Sequence, residues 1–235
     1  MKNIKIISLL FILLAVFSCS KKNEDSTVVG DVIAISKKSG SNTVYALAYY
    51  AYAYSPLKEV TVTKLTDTST KVTLAAAEVD YTTTFRKEPE DEDFTTTKPA
   101  TDTFRFNAVF ESGNTYQADD NLSSTILEPS TFEKCSYNTE KSYAEISWTA
   151  VTNADSYSVS IFDDKQALVF RSAELSNTVT SGTLSSSTSG WITQPVNGKV
   201  YTVRVAAFKY EDSNSPNSLH LQSSSVLEST ITWGQ

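Results

Sequence analysis

Hydrolysis of a glycosidic bond needs two carboxyl groups held across a substrate. Three adjacent acid pairs could supply them: Asp119 with Asp120, Asp163 with Asp164, and Glu211 with Asp212. Each reads as sitting beside a turn, where Asp makes local backbone hydrogen bonds, so each is expected to shape the chain rather than react. The one histidine, His220, lies between Leu219 and Leu221. If those leucines face inward, alternation sends His220 to solvent, and no G-x-S-x-G elbow supplies a serine for it to activate. One histidine and one spare cysteine leave too few of the usual ligands for zinc. Glu88 to Asp93 holds five acids, but without a D-x-D-x-D-G spacing or a glycine to tighten the loop. It is expected to be a solvated loop rather than a calcium site. No phosphate-binding glycine motif occurs. The expectation is a non-enzyme with no cofactor and no metal.

Aromatic residues are the stronger lead. Between Thr43 and Ser55, Tyr45, Leu47 and Tyr49 share one parity, and Tyr50, Tyr52 and Tyr54 share the other. A β-bulge near Tyr49 and Tyr50 would bring all six to one face. An unbroken strand would send three to a core and three to a surface. Tyrosine rings stack well on sugars and on protein partners, so Tyr50, Tyr52 and Tyr54 are candidate ligand contacts, with core and sheet edge as their other use. Trp191, between a Ser/Thr/Gly-rich loop and Pro195, is a fourth candidate contact or a plug for the end of a sandwich.

The N-terminus carries a different chemistry. Lys2 and Lys5 precede an apolar run from Ile6 to Phe17, then Ser18 and Cys19. This is the layout of an export signal, and the run is too short to span a bilayer as a helix. Val16-Phe17-Ser18-Cys19 resembles a bacterial lipobox. The resemblance implies that Cys19 is acylated and becomes the mature N-terminus, making the membrane a partner through lipid. Cys135 would then have no partner for an internal disulfide and reads as a small hydrophobe in or near a strand. The tract Lys21-Lys-Asn-Glu-Asp25 loosely resembles the acidic export tag of surface lipoproteins in the Bacteroidota, which implies an outer-membrane lipoprotein, surface-exposed rather than periplasm-facing. Without Lys2 and Lys5 the chain has 18 basic and 27 acidic residues, a net charge of about −9. That charge is repelled by phosphate backbones, which argues against nucleic acid, and by anionic headgroups, which leaves lipid to hold the membrane.

The elements that would position these groups are strands. The chain is 40% apolar and 20% charged, ordinary for a globular protein, and rich in β-branched and aromatic residues. Strands are expected over Val29–Ser36, Thr43–Ser55, Glu59–Leu65, Lys71–Ala76, Tyr81–Arg86 and Asp102–Glu111, and from Tyr116 onward. About seven short strands in this spacing suggest an Ig-like antiparallel sandwich. Asp119 to Thr125 reads as a polar exit toward a boundary near residue 128.

Beyond it, Ala144 to Ile161, with Trp148 and Tyr157, resembles the B and C strands of a fibronectin type III domain. Gln194 to Ala207, with Pro195, Gly198 and Tyr201, resembles that family's approach to its F strand. The resemblance covers about residues 129–235. It implies Trp148 between two sheets and Tyr201 as a corner or core tyrosine; the Ser-rich stretch 181–190 leaves the E strand unplaced. The expected organisation is all-β: signal peptide 1–18, tether 19–27, Ig-like sandwich 28–127 and fibronectin type III-like sandwich 128–235. The expected role is a non-catalytic binding or adhesion module, or an accessory subunit, with a protein or glycan partner. A structural spacer is the alternative, and a glycoside hydrolase stands behind it.

Overall fold

The computed structural model describes residues 26–78, 81–211 and 220–235; Cys19, the export signal and most of the tether lie outside the described residues. The described chain is built of strands, with one short 3-10 turn at Asp91–Asp93.

β1 (Val28–Ser39) and β2 (Asn42–Ala53) form a hairpin in full register. Gly40 turns it at φ +59°, a conformation glycine adopts at no steric cost. β3 (Leu57–Lys64), β4 (Lys71–Thr73), β7 (Asp102–Phe110) and β8 (Thr115–Leu122) make one sheet in the order β4-β3-β7-β8. β5 (Ala75–Glu78) and β6 (Tyr81–Lys87) extend the β1–β2 hairpin instead. The two layers face each other through alternating apolar positions. Val60, Val62, Phe104, Phe106 and Phe110 of one meet Val32, Ala34, Tyr45 and Tyr49 of the other, all buried. Gly30 is required for this approach, because a Cβ there would lie 2.3 Å from the Phe106 ring.

Two local expectations fail here. Lys71–Ala76 is not one strand: the chain crosses between layers at buried Leu74, so β4 and β5 belong to different sheets. Asp119–Leu122 is not an exit loop. It is the end of β8, with Asp120 and Leu122 buried.

The second half folds as the resemblance implies. β9 (Phe132–Asn138), β10 (Tyr143–Trp148) and β14 (Ser181–Leu184) form a three-stranded sheet in the order β14-β10-β9. Against it lie β11 (Ser156–Phe162), β12 (Leu168–Arg171), β15 (Val200–Tyr210) and β16 (Leu221–Thr232), with short β13 (Leu175–Ser176) beside β11. β14 is the strand the Ser-rich stretch conceals. Trp148 is buried with its ring edge-on to Tyr157 at 5.5 Å. Tyr201 accepts the Val196 amide at 2.9 Å on its hydroxyl, the tyrosine-corner geometry of such sandwiches. Cys135 lies in β9, half-buried against this core; burial pushes its thiol up and Ser229 lowers it again in part. A thiol held in that form is a poor nucleophile.

The two sandwiches share a sheet. β16 runs parallel to β1, pairing Ala34 with Ser223 through Lys37 with Val226. One nine-stranded sheet therefore runs β12-β11-β15-β16-β1-β2-β6-β5, with β13 paired to β11 off this path as the ninth strand. The first and last strands would otherwise be open edges, and each covers the other. The seam is polar, and Ser36 and Ser223 are satisfied within it. Ser36 donates to the Leu127 carbonyl at 2.6 Å, Ser223 accepts the Leu127 amide at 3.0 Å, and its hydroxyl donates to Ala34 at 3.0 Å. Ile126 packs into the first core and Leu127 into the second.

Candidate functional site

β2 pairs with β1 without a register shift, so its alternation is unbroken and there is no bulge at Tyr49 and Tyr50. Tyr45 and Tyr49 enter the core, with Leu47 against it. Tyr50, Tyr52 and Tyr54 take the other face. Tyr52 is 43% exposed and Tyr54 88%. The Tyr50 and Tyr52 rings lie parallel, 2° apart in tilt and 6.2 Å between centroids. Val29, cross-strand from Tyr52, is also exposed. The Tyr50 hydroxyl donates to Glu88, whose carboxylate lies 4.0 Å from Arg86. Burial and then Glu88 hold the Tyr50 phenol well above its ordinary range; burial, Asp31 and Glu88 raise Tyr52. These rings present neutral faces flanked by charge.

Trp191 is used differently. Its indole N–H donates to the Ser185 carbonyl at 2.8 Å. Its ring packs on Phe170 at 4.9 Å and edge-on to Trp233 at 5.2 Å. It closes an end of the second sandwich with its polar atom already spent, and it stands apart from the tyrosine face.

Among the described members of the acid pairs, Asp163 shapes a turn, accepting the Lys165 and Ala167 amides at 2.9 and 2.8 Å. Asp119 sits mid-strand in a two-pronged contact with Arg105, both arms 2.7 Å. Asp212 lies outside the described residues.

Asp120 and Glu211 instead join a cluster that local pattern does not reveal. Asp31, Glu211 and His220 each bring a ligand atom within 4.8 Å of the others. Asp120 borders them: its carboxylate raises the pKa of Asp31 and hydrogen-bonds Glu211. Backbone amides orient the two aspartates. Asp120 accepts Val32 N–H at 2.7 Å, and Asp31 Oδ2 accepts Leu221 N–H at 3.4 Å. Burial, then Asp120, pushes Asp31 up to about 7. Burial and Asp120 likewise push Glu211 up to about 7, while His220 works against the shift. His220 is thus half-buried among acids rather than turned to solvent. It precedes β16, where Leu221 is half-buried and Gln222 and Ser223 are buried; Leu219 lies outside the described residues. The missed sequence signal was Asp31, an ionisable residue inside the run Val28 to Ile35, which is otherwise apolar residues and Gly30.

No family model and no curated protein matches the chain. Among solved structures, it is similar to a two-domain fibronectin type III segment of chicken tenascin, at 15% identity over 86% of this chain and 97% of that one, with a TM-score of 0.30. Fibronectin(III)-like modules of Clostridium thermocellum CbhA match at 12% identity over 88% and 93%, TM-score 0.28. Dimeric latent PorU from Porphyromonas gingivalis matches at 9% over 92% of this chain and 21% of that one, TM-score 0.31. The sandwich assignment is carried by the strand order and the tyrosine corner rather than by these likenesses.

Proposed function

We propose that this chain is a lipid-anchored cell-envelope protein, held at the outer membrane through Cys19 and facing the cell surface, that binds a protein or glycan partner without catalysis. The observation that carries the binding reading is the outward face formed by Tyr50, Tyr52 and Tyr54. Two parallel rings, with a third almost fully exposed tyrosine just past the end of β2, stand on a sheet braced from both sides. Rigid aromatic side chains lose little entropy on contact. A pure spacer has no use for such a surface.

Tether length sharpens the partner. Eight residues, Ser20 to Thr27, separate Cys19 from β1, and eight extended residues reach at most about 29 Å. Val28 pairs with Ala53 and Val29 with Tyr52, so the tether enters the fold beside the exposed tyrosines. The aromatic face is therefore offered close to the membrane. That favours an accessory role toward another envelope component over adhesion to a distant surface.

The test is capture from detergent-solubilised envelope by the intact lipoprotein, wild type against the Tyr52→Ser, Tyr54→Ser double variant, with glycan-array binding measured in parallel. Capture that falls at least tenfold in the double variant supports the reading. Equal capture by both proteins sinks it.

A further inference from the structure

The Asp31 cluster sits where the two sandwiches meet. Asp31 comes from β1 and Asp120 from β8, both in the first sandwich; Glu211 follows β15 and His220 precedes β16 in the second. Three acids and an imidazole converge there. Asp31 is 6% exposed, and its Oδ1 has no hydrogen-bond partner among the described residues; neither has Glu211 Oε1. A buried, unpaired carboxylate oxygen costs free energy in a folded protein, and carboxylates brought into hydrogen-bond contact need a proton or a cation between them.

We propose that Asp31, Glu211 and His220, completed by Asp120, bind one divalent transition-metal ion, with zinc the best fit, and that this ion pins the two sandwiches together. The donor set argues for the metal. Imidazole with carboxylates suits zinc, whereas calcium takes six to eight oxygens, more than three carboxylates and a nitrogen provide. The oxygens are held as a metal site needs, because backbone amides of Val32 and Leu221 fix the aspartates from behind. Tetrahedral ligands about 2.1 Å from zinc lie about 3.4 Å apart, so side chains now within 4.8 Å of one another close by roughly an ångström. Glu211 also lines a surface hollow of about 220 Å³, together with Ser123, Lys209, Tyr210 and Gln222.

The full-length protein in detergent, stripped with EDTA, is titrated with zinc chloride while heat uptake and the thermal midpoint are followed, with magnesium and calcium chloride as comparisons. The expected result is one zinc per chain and a midpoint raised by roughly 5–10 °C at a hundredfold excess over the dissociation constant. Magnesium and calcium leave the midpoint unchanged. Asp31→Asn and His220→Gln each lose the zinc shift; His220→Gln, at a half-exposed site, keeps the comparison valid if Asp31→Asn fails to fold. Absence of a zinc effect, or a shift of equal size in wild type and His220→Gln, overturns the proposal and leaves shared protons as what holds the acids together.

Discussion

Tyr49 shows how one residue of the tyrosine strand differs from the next. It lies in the first core, its ring 5.9 Å from Phe104, while Tyr50 beside it faces outward. Burial, and then Asp93, pushes its phenol from 10.0 up to about 12. An acid whose pKa is raised on folding favours the folded state while it stays protonated. Its contribution is therefore complete below pH 10 and lost as pH climbs from 10 through 12. We expect the phenolate absorbance that disappears in Tyr49→Phe to emerge near pH 12 together with unfolding. A phenol titrating near 10 in the folded protein would contradict that placement. Tyr54, one residue past the end of β2, is 88% exposed and contributes nothing to that core.

At the scale of elements, the seam between β1 and β16 decides the architecture. It is made by serines rather than by an apolar stripe, and Ser223 carries the most. Its hydroxyl serves both the Leu127 amide and the Ala34 carbonyl in a fully buried position. Ser223→Ala leaves that amide without an acceptor and should cost about 1–3 kcal/mol, read as a lower midpoint in urea. A change below about 0.5 kcal/mol would show that the seam does not depend on it. The same strand explains what could be read beforehand. β7 and β15 alternate Phe104, Phe106, Ala108 and Tyr201, Val203, Val205 toward their cores, so their type and facing were legible. After Leu221, β16 runs through Gln222, Ser223, Ser224 and Ser225, all buried. Their partners are a linker and a first strand distant in sequence, and alternation carries no trace of them. β4 and β5 look like one strand because the crossing at Leu74 depends on which sheet has room. The carboxylate cluster was hidden for the same reason, since Asp31 and His220 are neighbours only after the seam closes. For the tyrosines, local alternation allowed both a bulge and an unbroken strand, and only the register with β1 decides between them.

At the scale of the molecule, two sandwiches joined along one sheet form a single braced body with its aromatic face near its point of entry. A display role follows only if lipid holds that entry point to a membrane, so Cys19 is where the account is most exposed. The most direct measurement is fractionation of cells expressing the full-length wild type or Cys19→Ser. Wild type is expected in the membrane fraction, released by detergent but not by high salt, because lipid and not charge would retain an acidic chain. Cys19→Ser is expected in the soluble fraction or uncleaved at its signal, without acyl label. Acyl-free protein with its signal removed that still sediments with membranes would contradict the account.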